Sequence, residues 1–142
     1  MLQVRHLLDS KPVGVVSLPP EAPVLDAIRR MADHGIGSVL VMRGNALVGI
    51  VSERDYARKV ALQGRSSATT PVSDIMSSPV KTVLREASVH ECMQMMTEGR
   101  VRHLAVLDGD RVVGVVSIGD LVKALLELQQ HEIEQLQHYI SG

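Results

Sequence analysis

At 142 residues the chain is the size of one compact domain. Its 45% hydrophobic content is aliphatic, with no Phe or Trp and only Tyr56 and Tyr139 as aromatic rings, so a pocket that stacks a planar ligand between aromatics is excluded. A net charge of −1 argues against a general pull on nucleic acid or an anionic membrane, and no apolar run reaches the ~18 residues of a membrane span.

The first residues, Met1 to His6, lack the basic-then-apolar layout of a signal peptide, and the single cysteine, Cys92, permits no intrachain disulfide; a reducing, cytoplasmic setting is expected. Val13 to Leu18 is a β-branched run of strand length. From Glu21 to His34, Val24, Ala27, Ile28, Met31 and Ala32 recur at spacings of three and four, which predicts an amphipathic helix. Gly35 and Gly37 end it. Ser38 to Met42 and Leu47 to Val51 are the arms of a hairpin around Arg43-Gly44-Asn45-Ala46. Ser52 opens a helix to about Leu62, and the polar stretch 63–71 is a linker. The pattern then returns: strand Val80 to Leu84, helix Val89 to Glu98, strand His103 to Leu107, turn Asp108-Gly109-Asp110-Arg111, strand Val112 to Val116, and a helix from Ser117. The last stretch, Asp120 to Ile140, is long for a globular helix. Val122, Leu126, Ile133, Leu136 and Ile140 fall near one side of it, so it is expected to be either a dimer-making partner helix or an arm folded back on its own domain.

The return is a true internal repeat. Shifted by 65 residues, Val15 to Asp55 lies on Val80 to Asp120 without a gap, with 12 of 41 positions identical, among them Gly49/Gly114, Ser52/Ser117 and Asp55/Asp120. A shorter prelude recurs at a shift of 68: Val4, Leu7 and Leu8 answer Val72, Ile75 and Met76. A β-α-β-β-α unit has an apolar sheet face that it cannot bury alone. The expected architecture is therefore α/β (α+β): two tandem repeats packed face to face with pseudo-twofold symmetry, plus a long C-terminal helix. The boundaries are 4–62 for the first repeat, 63–71 for the linker, 72–126 for the second repeat and 127–142 for the helical tail, all in one module. Any cleft between the halves should occur twice.

The segments Gly49-Ile50-Val51-Ser52-Glu53-Arg54-Asp55 and Gly114-Val115-Val116-Ser117-Ile118-Gly119-Asp120, each after a helix and an apolar hairpin, resemble the cystathionine-β-synthase (CBS) domain pair, or Bateman module, over about residues 4–126. The phrases Ser52 to Lys59 and Arg100 to Leu104, with the tail ending Tyr139-Ile140-Ser141-Gly142, resemble small stand-alone pairs of bacteria and mitochondria. The resemblance implies an adenosyl ligand (AMP, ADP, ATP or NAD), a homodimer, and regulation of a partner on a separate chain. It implies two shared sites: Ser52 and Asp55 with Thr82, Arg100, Arg102 and His103; and Ser117 and Asp120 with Ser17, Ile36, Gly37 and Ser38. Many relatives carry Pro where this chain has Ala105.

Ser-x-x-Asp at a helix start is also a capping box, so Ser52 and Asp55 have a local role even without a ligand. The two roles coexist: a helix start offers amides and positive potential to a phosphate, and an ionised Asp offers acceptors to the two vicinal ribose hydroxyls. Arg54, Arg58, Lys59, Arg100 and Arg102 converge on the first site and suit phosphate. Around the second lie Gly119, Lys123, Gly35, Gly37 and Ser38, so the first is expected to hold the more phosphorylated end of a ligand. Met93, Met95 and Met96 read as core filling, Cys92 as a small buried residue, and the pair His131 and His138 as a solvated face. No nucleophile–base set, paired carboxylates or Cys/His metal cluster stands out, so catalysis and a catalytic cofactor are not expected. The competing function is a ligand-independent dimeric adaptor.

Overall fold

The computed structural model describes residues 1–11 and 14–141; Val13, expected in the first strand, and Gly142, expected at the end of the tail, lie outside them. In chain order the elements are α1 (Val4–Asp9), β1 (Ser17–Leu18), α2 (Val24–His34), β2 (Ser38–Arg43), β3 (Ala46–Ser52), α3 (Glu53–Tyr56), a π-helix (Ala57–Ala61), a short 3₁₀ turn (Val72–Asp74), β4 (Thr82–Leu84), α4 (Val89–Gly99), β5 (His103–Asp108), β6 (Arg111–Ser117) and α5 (Ile118–Ser141). They form two three-stranded sheets of one design, β1-β2-β3 and β4-β5-β6. In each, the first strand runs parallel to the second and the second pairs antiparallel with the third. The registers repeat at the 65-residue shift. Ser38 faces Ser52 as His103 faces Ser117, and each hairpin is irregular at the same place, between Val41 and Met42 and between Val106 and Leu107.

Several elements depart from the expected bounds, β4 among them, which starts at Thr82 and not at Val80. β1 is reduced to the two residues that pair with Leu40 and Val41. α2 starts at Val24 because Pro23, at ψ 148°, is extended, and the residue before a proline is steered away from helix. The helix opened by Ser52 makes one α-turn and then widens into the π-helix, where the Leu62 amide donates to the Ala57 carbonyl at 3.0 Å and Arg65 to Val60 at 3.0 Å. Short π segments are frequent at functional sites; the matching segment of the second repeat runs on as the regular α5.

Each sheet buries its apolar face in its own cluster, and the preludes are exchanged between the clusters. Val4 and Leu7 lie in the second core with Val83, Val89, Cys92, Leu104 and Leu121. Val72 and Ile75 lie in the first, with Val24, Met31, Val39, Val51 and Val60. Backbone bonds secure the exchange symmetrically. The Val4 amide donates to Ala87 at 2.9 Å and Val89 to Leu2 at 3.0 Å; in the mirror pair Val72 donates to Ala22 at 2.8 Å and Val24 to Thr70 at 2.8 Å. The stretch 63–71 is thereby tied to the start of α2, whose Leu25 amide also donates to Ser67 at 2.9 Å. These carbonyls satisfy amides that Pro23, with no side-chain acceptor, leaves open.

Met96 and Cys92 are buried, and Met93 and Met95 pack around them. Burial, aided by Glu91, pushes the Cys92 thiol up to about 11, so it is an inert apolar filler. In α5, Leu121 is buried and Ala124 and Leu125 pack on the second core. From Leu126 to Ser141 every residue is exposed, so the tail does not fold back on its own domain. No helix among the described residues is long and apolar enough to cross a membrane.

Candidate ligand-binding clefts

The two Ser-x-x-Asp segments fold alike. Each serine ends the third strand of its sheet, and each aspartate sits one turn into the following helix. The Ser52 amide donates to Asp55 Oδ2 at 2.9 Å and the Asp55 amide donates back to Ser52 Oγ at 3.2 Å. In the second repeat the Ser117 amide donates to Asp120 Oδ2 at 2.8 Å and the Asp120 amide donates to Ser117 Oγ at 3.1 Å. The capping role is therefore present in both, and it fixes each carboxylate at the lip of a cleft.

The Asp55 cleft, about 460 Å³, gathers Ser52, Arg54, Asp55 and Lys59 with Arg100, Arg102 and His103 from the facing repeat. Lys59 Nζ stands 3.1 Å from Asp55 Oδ1 and donates to the Ile75 carbonyl at 2.9 Å. The Asp120 cleft, about 480 Å³, gathers Ser117 and Asp120 with Ile36, Gly37 and Ser38. Five cations face two carboxylates, Glu53 and Asp55, in the first. In the second, two lysines face Asp120 and Glu127.

Arg100 ends α4 at φ 53°, ψ 39°, where the first repeat ends α2 on Gly35 at φ 63°, ψ 39°. This left-handed geometry is free for glycine but costs an ordinary residue about 1–2 kcal/mol. The second repeat carries that strain and gains a guanidinium on the wall of the Asp55 cleft.

His103 and Gly37 line both clefts and form the wall between them, whereas the sequence reading assigned each to one side only. A Cβ on Gly37 would lie 3.5 Å from His103 Nε2 and 3.4 Å from Glu53 Oε1, so the small residue keeps the wall thin. Burial holds the His103 imidazole below its usual pKa, with Lys11 and Arg102 acting the same way against the opposite pull of Asp120 and Asp55. The lowered pKa favours the uncharged imidazole, which stands as a polar group in the wall between the clefts. For Asp120, burial raises the carboxyl, but the hydrogen bond and charge of Lys11 and the bonds from Ser117 outweigh it and hold it below the usual range.

Two expected residues stand elsewhere. Thr82 lines a separate open cavity beside Met76, Pro79 and Val112, because its neighbour Val83 points into the core and strand side chains alternate. Ser17 lines neither cleft; Val16 and Gly14 face the Asp120 cleft in its place, again by alternation, with Leu18 turned to the core. Sequence reasoning missed Lys11, Ser10 and His34 at the Asp120 cleft and Ser77 at the other. Lys11 and Ser77 follow the exchanged preludes, and no local signal shows where those cross.

Two sheets of one design, exchanged preludes and two pseudo-equivalent clefts, each walled by both repeats, define a tandem-repeat module. The CBS domain model matches residues 4–62 and again 72–127, and the chain belongs to the CBS-domain family. It is 43% identical over 124 residues to the mitochondrial CBS domain-containing protein CBSX3 of Arabidopsis thaliana, covering 84% of this chain and 60% of that protein. Among solved structures, a protein with CBS domains from Burkholderia ambifaria MC40-6, with a suggested role in signal transduction, matches at 47% identity and a TM-score of 0.83, over 88% of this chain and 94% of that one. CBS domain protein PAE2072 from Pyrobaculum aerophilum, solved in complex with AMP, matches at 30% identity and a TM-score of 0.76, over 91% and 99%.

Proposed function

We propose that the chain is a regulatory module that binds adenine nucleotides (AMP, ADP, ATP or NAD) in its two clefts and thereby modulates a separate partner protein. The observation that carries this reading is the pairing, twice, of a helix-start carboxylate with wall residues of the opposite repeat. Asp55 and Asp120 have the acceptors that vicinal ribose hydroxyls need, and the helix starts beside them favour phosphate. The AMP bound by the Pyrobaculum relative supports the same ligand class. With five cations against two carboxylates, the Asp55 cleft takes the more highly phosphorylated ligand.

Asp55→Asn tests this. It keeps the shape of the cap but removes the charge that bonds to ribose. A hydrogen bond to a charged group contributes roughly 1.5–3 kcal/mol, and ~1.4 kcal/mol is tenfold in affinity. ADP affinity at that cleft should fall about tenfold or more in calorimetric titration, while the Asp120 cleft keeps its own. Unchanged affinity together with a large loss of ligand-free stability would reduce Ser52-x-x-Asp55 to a cap.

The module is proposed to work as a homodimer joined through α5. Leu126, Ile133 and Ile140 recur every seven residues with Leu136 between the last two, all at least 50% exposed, which is a short coiled-coil seam. A chain ending at Gln129 should show a lower mass than the full chain by light scattering at low micromolar concentration. A dimer mass retained by the shortened chain would place the interface elsewhere.

A further inference from the structure

Each cleft aspartate already carries a lysine, but the two lysines come from different places. Lys59 rides on the same helical segment as Asp55, four residues on. Lys11 reaches Asp120 from 109 residues away, out of the crossover between α1 and β1. Its ammonium donates to Asp120 Oδ2 at 2.8 Å and to the Val115 carbonyl at 2.9 Å. The Lys11 and Asp120 side chains are only 24% and 26% exposed, against 45% for Lys59. Apart from Lys11, the ionisable groups on the cleft wall are Lys123, Glu127, Asp120 and the histidines 34 and 103.

This contact has a consequence for any ribose that binds there. A vicinal hydroxyl pair calls on both carboxylate oxygens, and Asp120 Oδ2 is already engaged by the Lys11 ammonium. A nucleoside that displaced Lys11 would leave a half-buried cation with one carbonyl for a partner, and an unpaired charge in such a place is costly. A nucleotide brings its own replacement anion. The flexible four-carbon stem of a lysine lets the ammonium move to it.

Resting on the nucleotide reading above, we propose that Lys11 is the specificity-determining residue of the Asp120 cleft, passing from Asp120 to the phosphate of an incoming nucleotide, so that this cleft selects nucleotide over nucleoside. No bond is made or broken in the exchange beyond hydrogen bonds and ion pairs. Asp120 stays ionised throughout, consistent with the low pKa that Lys11 and Ser117 give it.

The test compares AMP with adenosine by calorimetry in Asp55→Asn protein, where the Asp120 cleft reports. AMP should bind at least tenfold more tightly than adenosine. Adding Lys11→Met, which keeps an unbranched apolar stem, should weaken AMP about tenfold and leave adenosine unchanged or tighter. Lys11→Arg should restore the preference. A ratio of affinities untouched by Lys11→Met, or an equal loss for both ligands, overturns the proposal. In the unmutated chain the ε-carbon resonance of Lys11 should move on saturation with AMP; an unmoved resonance overturns it without recourse to a variant. If AMP does not bind the unmutated chain, the nucleotide reading falls and this one with it. AMP binding that is indifferent to Lys11 defeats this one alone.

Discussion

Ile75→Ala is expected to lower stability by about 2–5 kcal/mol, the usual cost of removing a fully buried aliphatic side chain, and to disturb the first half of the molecule. Ile75 lies in the second repeat by sequence, yet it is wholly buried among Val24, Met31, Val39, Val51 and Val60. Urea denaturation gives the loss. Amide chemical shifts give its location: the changes should centre on α2, β2 and β3, and leave β5 and α4 nearly unmoved. Leu7→Ala should produce the complementary map, centred on Val89, Cys92 and Leu104. Changes confined to the repeat that carries each substitution would contradict the exchange of preludes.

Gly49→Ala should destabilise the chain by about 1–3 kcal/mol, the scale of an overpacked core, although alanine in a strand ordinarily gains about 0.5–1 kcal/mol over glycine. Gly49 sits in β3 with no unusual backbone angle, but a Cβ there would overlap the side chain of Met76. The thioether could swing aside. The Met76 Cβ, 3.0 Å away, cannot. Its backbone is held by a bond from the Met76 amide to Val72 at 2.9 Å and by the flanking Ser77–Ile50 pair at 2.9 and 3.1 Å. At Gly114 the neighbour is only the tip of Leu8, with Cδ2 at 2.8 Å and Cγ at 3.7 Å, so Gly114→Ala should cost less. In a double-mutant cycle, Gly49→Ala and Met76→Gly, which removes the Cβ at 76, should be non-additive by about 1 kcal/mol or more in the relieving direction. Simple additivity would show that the glycine recurs for some other reason than the prelude crossing over it.

What was legible in the sequence is what is local or repeated. The 65-residue shift predicts the strand registers, since the same glycines and apolar positions return in step. The Ser-x-x-Asp spacing predicts the caps, because Ser52 and Asp55 lie within one helical turn. The cluster of arginines around Asp55 was visible for the same reason: two short segments, 52–59 and 100–103, carry nearly all of it. The destination of the preludes was not legible. Val4 and Leu7 have the same apolar character whichever core receives them, and only the backbone bonds to Ala87 and from Val89 decide between the two. Lys11 was hidden with them. Thr82 and Ser17 were assigned to the clefts by resemblance; the alternation of side chains around Val83 and Leu18 turns them away. The π-helix leaves no periodic mark, because a single widened turn after Tyr56 shifts the phase of too few residues.

A chain holding one copy of this repeat would own a core with a vacant seat and a segment with nowhere of its own to dock. Two such chains could complete one another only by trading segments, a domain swap whose survival depends on how much protein is present. Joining the copies in tandem makes the trade internal, at an effective concentration of the order of millimolar, fixed by the connecting stretch and not by the cell. Seen this way, the duplication converts a binding constant into a folding constant, and dilution can no longer separate the two halves.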